Sequence, residues 1–386
     1  TALQRDRRAA LSAGLPQQRA AAVVMTDTGS VDIELLANLP KGKKPPLLSP
    51  FVKPASEPNP PKSAILIYNP VGGKKKAARL AERIVLPMLK DAGVQVETRP
   101  TEYQGHAGEM GRTLPLAGID ALLVMGGDGT LSELLDGFVQ REDGAVSSCA
   151  LGFIPAGTGN TFIGEALGVK TAGARDAAVR AAVQAILDGR SRRVDCQQLD
   201  MTGLDHKPLR RVSVNTVMAG FGPDANAVAE RRRWMGPMRY SVSVYTEILK
   251  LPRRKPLPCK IALDGAAVQP LRDLFLFGCF VNKYTGTEHR ITPFAQLDDG
   301  KLDVVYTNQK IGSILHAVKI DGMVKGGGKH VHEPAVSLAQ VRTLTLEPEK
   351  PARLMVDGDI IGTTPLTATV IPAAFTLYTP ESPAPS

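Results

Sequence analysis

Residues Gly126-Gly127-Asp128-Gly129-Thr130 put one carboxylate among three glycines, directly after the apolar run Ile119 to Val124. Where a strand hands over to a helix, backbone N–H groups and the positive end of the helix dipole face a phosphate, and an acid there projects into the same space. Asp128 is therefore placed either to take a proton from a substrate hydroxyl or to help hold magnesium. Both roles serve phosphoryl transfer, in which positioning and electrostatic stabilisation dominate. Two further loops have the same character: Asn69-Pro70-Val71-Gly72-Gly73, followed by Lys74, Lys75 and Lys76, and Pro155-Ala156-Gly157-Thr158-Gly159-Asn160. A single glycine turn is common. Three of them in one domain, each beyond an apolar run, read as a nucleotide site. None is a Walker A loop, because GxxxxGK[ST] is absent.

Other polar residues have two readings each. Thr101 lies beyond the second strand, within reach of a nucleotide, whereas His106 fits packing or capping. Arg233 and Arg239 stand either side of Gly236-Pro237. Guanidinium forks suit phosphate oxygens, and the same charge run suits a solvated helix face. Asp357-Gly358-Asp359 follows the apolar Leu354-Met355-Val356. It fits a hairpin turn, or it brings Asp359 into the cleft to assist the base or order magnesium. Asp298-Asp299-Gly300 with Asp303 is equally a turn or a small cation site.

The elements that must hold these loops alternate. Strands are expected at Ala64–Tyr68, Val94–Arg99, Ala121–Met125 and Cys149–Ile154, with helices at Lys75–Asp91, His106–Leu114, Ser132–Phe138 and Thr161–Leu167, the third beginning at about Thr130. Such alternation implies a parallel sheet covered by helices, with ligands beyond the carboxyl ends of its strands. After the alanine-rich helix Ala174–Leu187 the pattern changes to many strands: Arg193–Leu199, Val212–Ala219, Lys260–Leu263, Leu271–Phe280, Leu302–Thr307, Val341–Leu346 and Leu354–Val356. Only Asp224–Leu249 and Ile311–Val324 look strongly helical there. The fold class is α/β: an N-terminal α/β nucleotide-binding domain with a parallel sheet, plus a C-terminal antiparallel, β-rich, sandwich-like domain. The divisions are a proline-rich N-terminal extension at 1–60, the α/β catalytic domain at 61–200, the β-rich domain at 201–378 and a tail at 379–386.

Length and composition permit this. A chain of 386 residues, 43% hydrophobic and 22% charged, has the material for two cores. The formal charge of +9 suits phosphate-bearing ligands and anionic membranes. With only 5% aromatic residues and no stacking motif, nucleic acid is not an expected partner. The four cysteines have neither zinc nor disulfide-framework spacing, which suits a reducing compartment. No apolar run is long enough to span a bilayer.

Taken together, the three loops resemble the diacylglycerol-kinase-type catalytic family, which includes sphingosine, ceramide and related bacterial lipid kinases, across roughly residues 61–378. That resemblance implies ATP and Mg²⁺ as cofactors and a lipid hydroxyl as acceptor. It implies phosphate loops at Gly72-Gly73 and Gly126-Gly127, nucleotide contacts from Asn69, Thr101 and Thr158, and further cofactor contacts from Pro70, Gly129, Thr130 and Gly157. Asp128 matches the general base, Glu133 a supporting acid on the following helix, and Arg233 and Arg239 the arginines that hold the triphosphate. Asp359 stands where the family has the glutamate of a DGE motif, in a catalytic or metal-binding role. The segment Ala219–Asn226 with Arg233-Trp234-Met235-Gly236 is similar to the sphingoid branch, with Asp224 and Asn226 on the substrate side. Asn226 replaces a headgroup aspartate, and ceramide fits a neutral amide more easily than a long-chain base does. The implied acceptor is a sphingoid-type lipid; the alternatives are diacylglycerol or, for an NAD-kinase-like enzyme, a soluble dinucleotide. The implied setting is cytoplasmic, with peripheral contact at intracellular membranes. The sequence sets no oligomeric state.

Overall fold

Apolar runs without polar alternation become strands buried along their length, β1 (Ser63–Tyr68), β3 (Ala121–Gly126) and β4 (Ala150–Pro155), while the more polar β2 (Gln95–Pro100) takes the edge. They pair in parallel in the order β2-β1-β3-β4. The computed structural model describes residues 43–45, 48–70, 77–157, 159–169, 175–235, 238–286, 289–311 and 313–381. Between the strands run α1 (Ala77–Leu80), a π turn at Ala81–Val85 continuing into α2 (Leu86–Asp91), α3 (His106–Thr113), α4 (Asp128–Val139), α5 (Ala145–Ser148), α6 (Thr161–Leu167) and α7 (Arg175–Leu187).

Helix α4 starts at Asp128, two residues before the expected Thr130. It is held by backbone contact with α3. A Cβ on Gly108 would lie 2.8 Å from the Glu133 carbonyl oxygen, and one on Gly111 would lie 2.6 Å from that of Leu134. Only glycine lets the two helices approach so closely.

The second half holds β5 (Ser191–Gly203), β6 (Pro208–Ser213), β7 (Thr216–Gly220), α8 (Phe221–Glu230), α9 (Met238–Leu249), β8 (Cys259–Leu263), β9 (Gln269–Leu271), β10 (Leu276–Phe280), β11 (Tyr284–Thr285), β12 (His289–Arg290), β13 (Leu302–Thr307), α10 (Ile314–Lys325), β14 (Val336–Val341), β15 (Thr343–Pro348), β16 (Arg353–Val356) and β17 (Asp359–Tyr378). It is antiparallel and sandwich-like. Strand β17 stitches the halves together: it pairs with β16, then with β15 and β5, and finally sets Leu377 parallel to Leu151 of β4. This strand is not legible in the sequence, because Pro365 and Pro372 interrupt its pattern. Its register against β5 shifts between Thr363 and Thr367 and between Ile371 and Phe375, around each proline. The expected strand Val212–Ala219 is likewise two strands, broken at Val214–Asn215.

Residues 48–60, expected in an appended extension, lie against the body. Phe51 is buried beneath the Arg192 guanidinium, 4.7 Å from its ring centre. The Val52 and Lys53 N–H groups donate to the Asp298 carboxylate at 2.6 and 2.9 Å, and that of Asn59 to the Gly189 carbonyl at 2.9 Å. At the far end, Arg192 donates to Thr379 and to the Pro380 carbonyl, tying down the start of the expected tail. One apolar cluster fills the nucleotide domain and continues into the second. Another, including Met218, Phe275, Phe280, Val305, Ile320 and Met355, is separate from it. All four cysteines are buried and free.

Candidate active site

Asp128 opens α4 after Gly127, whose backbone is extended and whose position carries no side-chain cap. The first N–H groups of α4 therefore face outward, as an anion site requires. Asp128 Oδ2 accepts the Thr161 N–H at 2.9 Å, so one carboxylate sits at the amino ends of α4 and α6 together. Its Oδ1 is buried without a protein partner. Burial pushes the Asp128 pKa up; the Thr161 and Phe162 N–H groups oppose this, the nearby Asp357 charge adds to it, and the net direction is upward. A carboxylate shifted this way is a stronger base than a solvated one.

The glycines around it do two different jobs. The Gly126 carbonyl accepts N–H bonds from Ala156 at 2.7 Å and Gly157 at 3.0 Å. The Asn160 side chain then closes the turn, accepting from the Gly157 N–H and donating to the Gly157 carbonyl, each at 3.0 Å. A Cβ on Gly127 would lie 3.2 Å from the Gly157 Cα, and one on Gly126 would lie 2.7 Å from the Thr130 Cβ. Gly127 is glycine because two loops touch, and Gly126 because the Thr130 side chain of its own helix start packs onto it. Around Gly129 a Cβ would meet nothing within 4 Å, which is the open space a phosphate would use. Asn69 leaves β1 with its N–H on the Met125 carbonyl at 3.2 Å, Pro70 follows it in the turn, and Thr101 donates its N–H to the Tyr68 carbonyl at 2.9 Å. All of these lie at the carboxyl ends of the parallel strands. Gly72, Gly73 and Thr158 fall outside the described residues. His106 accepts the Glu102 N–H at 3.1 Å and stacks on Tyr103, the packing role foreseen for it.

The second domain contributes acids through the β16–β17 turn. Asp357 has left-handed backbone geometry, φ 50°, which places its side chain inward. Its Oδ1 accepts from the Ser213 hydroxyl at 2.6 Å and the Thr216 N–H at 3.0 Å, and its Oδ2 accepts from the Ser132 hydroxyl of α4 at 2.6 Å. Burial pushes its pKa up against these bonds. Asp359, the acid singled out from the sequence, is exposed at the start of β17. Its charge reaches Glu133, whose pKa is raised by burial first and which takes N–H bonds from Gly105 and Ala107 at the start of α3. Glu133 thus supports a helix end, and Arg211 lies close to it. Sequence reasoning passed over Asp357, Ser132 and Ser213. The Asp-Gly turn signal was visible, but which acid faces inward is decided by the backbone at Asp357.

The remaining expected residues are dispersed. The Asn226 side chain donates to the Gly358 carbonyl at 2.7 Å, bracing the same turn, while Asp224 pairs with Arg353 at 2.6 Å. Arg239 on α9 meets Glu230 on α8 at 3.3 Å. Arg233 begins a single 3₁₀ turn, and its side chain lies outside the described set. Asp298 is taken up by Val52 and Lys53, and Asp303 accepts from Gln340 at 3.2 Å. Among the described residues no group of three or more His, Cys, Asp or Glu side chains is arranged to hold a metal ion. Magnesium, however, is usually held by one or two carboxylates together with phosphate oxygens. The Asp128 Oδ1, which has no protein partner, is a donor of that kind.

Comparison with known proteins agrees with this architecture. Residues 63–199 match the family described as "Diacylglycerol kinase catalytic domain", and residues 215–379 match "YegS C-terminal NAD kinase beta sandwich-like domain". The chain is 27% identical to Sphingosine kinase 1 of Arabidopsis thaliana over 75% of its own length and 64% of that protein's. It is 26% identical to Diacylglycerol kinase of Staphylococcus carnosus over 83% of its own length and 96% of that protein's. The chain therefore spans about two thirds of the plant relative and nearly all of the bacterial one. A crystal structure of a diacylglycerol kinase from Bacillus anthracis shares the fold, with a TM-score of 0.57 at 19% identity, covering 82% of this chain and 97% of the other.

Proposed function

We propose, from the match of residues 63–199 to the family described as "Diacylglycerol kinase catalytic domain", that the protein is an ATP-dependent lipid kinase acting on a neutral, diacylglycerol-type acceptor. The observation that carries this reading is the Asp128 carboxylate, whose Oδ1 is buried without a protein partner where two strand-end loops touch and two helices start. The acceptor oxygen bonds to the γ-phosphorus as the bond from that phosphorus to the β–γ bridging oxygen breaks. ADP departs, and the hydroxyl proton passes to Asp128. Outward N–H groups of α4 and the space beside Gly129 orient the phosphates. Magnesium, when bound, would supply charge neutralisation across them, with Asp359 as its protein ligand while Asp128 serves as base.

The sphingoid-type acceptor implied by the sequence gives way to diacylglycerol on one ground, and a free long-chain base is disfavoured on a second. The bacterial relatives that align over almost their whole length carry the name diacylglycerol kinase. In addition, Asn226 is a neutral amide engaged with the Gly358 carbonyl, and the Asp224 carboxylate is paired with Arg353, so neither presents an unpaired negative charge to an ammonium headgroup. A sphingoid acceptor is the second reading, supported by the plant relatives named sphingosine kinases. Peripheral contact with a lipid surface is supported by the exposed Trp234, Met238 and Leu249 of the α8–α9 region and by Leu315 of α10. Among the described residues no helix is long and apolar enough to cross a membrane. The test is phosphate transfer from ATP in parallel to diacylglycerol, ceramide, sphingosine and NAD. Diacylglycerol is the expected preferred acceptor. A preference for sphingosine or ceramide would favour the second reading, and a preference for NAD would reject both.

A further inference from the structure

We infer that the Tyr103 ring is the platform on which the base of the nucleotide stacks, and so a specificity-determining residue for the phosphoryl donor. This rests on the kinase reading above. Among the described residues of the first domain, Tyr103 is the one large apolar side chain left exposed, at 54%. It stands in the loop beyond the carboxyl end of β2, two residues after Thr101. The core makes no use of a ring placed there. A flat, water-facing aromatic surface among strand-end loops is what a nucleotide base requires.

The ring is held ready. It lies parallel to the His106 imidazole, with the centroids 4.5 Å apart and the planes 3° apart. The His106 ring is oriented in turn by the Glu102 N–H on its Nδ1, and the Tyr103 hydroxyl donates to Glu109 one turn further along α3. The loop is tied to its neighbours as well. The Thr101 N–H meets the Tyr68 carbonyl of β1, and Glu133 of α4 takes the Gly105 and Ala107 N–H groups. With one face on the imidazole, an exposure of 54% leaves the other face open. A platform fixed in advance loses little freedom when a base docks on it.

Its place in the sheet suits the length of a nucleotide. Asp128 follows β3 and Tyr103 follows β2, two strand spacings away in the order β2-β1-β3. That is about 10 Å, the reach of a triphosphate arm with its ribose. Phosphates on the outward N–H groups of α4 therefore carry the base past Asn69, at the end of β1, to the β2 side. Stacking accepts any base but rewards the wider face of a purine, so the platform favours a purine nucleotide over a pyrimidine one.

Titration calorimetry with MgATP, MgUTP and magnesium tripolyphosphate tests this on wild type, Tyr103→Phe and Tyr103→Ala, and needs no acceptor. Tyr103→Ala should bind ATP about tenfold more weakly and lose most of the preference for ATP over UTP. Its affinity for tripolyphosphate, which has no base to stack, should match that of wild type. Tyr103→Phe keeps the ring and gives up only the Glu109 bond, so its ATP affinity should stay within about twofold of wild type. Unchanged ATP affinity in Tyr103→Ala overturns the inference. So does an equal loss of tripolyphosphate affinity, because the ring would then be holding the loop rather than the base. Tyr103→Phe as weak as Tyr103→Ala overturns it too, since the hydroxyl would then be the working group. A wild type that binds ATP and phosphorylates no lipid would instead count against the kinase reading alone, with the calorimetry still deciding the role of Tyr103.

Discussion

Asp128 is a carboxylate kept where ionising is costly. Its folded pKa is raised, so above the ordinary carboxylate range of about 4 the folded state must hold a charge that its surroundings disfavour. The linkage sign follows: the unfavourable contribution is absent below the unfolded pKa and grows as pH rises through the raised folded value. Asp128→Asn keeps an oxygen to accept the Thr161 N–H and removes the charge. The variant should melt about 2 °C higher than wild type at pH 7.5 and converge with it by about pH 4, as calorimetry at the two pH values would register. A lower melting temperature at pH 7.5 would mean that the charge stabilises the fold. Glycine, aspartate and threonine types identified this residue from sequence alone. They did not identify Asp357, because Asp357-Gly358-Asp359 offers two acids and the choice between them rests on one left-handed backbone angle.

Among the elements, α6 joins the site to the second domain. Its Glu165 pairs with Lys283 through Oε1 at 2.9 Å and accepts the Lys283 N–H through Oε2 at 3.0 Å, both side chains 1% exposed. Breaking such a pair from one side leaves a buried, uncompensated charge. Lys283→Met alone should cost about 3 kcal/mol in urea unfolding, while Lys283→Met combined with Glu165→Gln should recover most of that loss. A single variant as stable as wild type would show that the pair is not closed in solution. The first domain's elements were legible because each is a local signal: an apolar run, then a glycine loop, then a helix start. In the second domain β17 was not, since a strand interrupted by Pro365 and Pro372 is defined by partners far away in sequence, β5, β15 and β16. The helical stretch Asp224–Leu249 was correctly read as helical, but it is two helices, α8 and α9.

At the scale of the whole molecule, β17 and the strap at 48–60 work in the same direction. The last strand closes the first domain's sheet, and the strap joins Asp298 of the second domain to Gly189 beside β5. The β16–β17 turn is thereby carried to the first domain, where Asp357 meets Ser132 of α4. A net charge of +9 on such a body suits a polyphosphate substrate and an anionic lipid surface alike. The central claim is that one carboxylate receives the proton of the acceptor hydroxyl. It is tested most directly by transfer of labelled γ-phosphate from ATP to diacylglycerol in vesicles, comparing wild type with Asp128→Asn while ATP binding is measured in both. The account predicts turnover lowered at least about a hundredfold with ATP affinity retained; turnover within a factor of about two of wild type would contradict it.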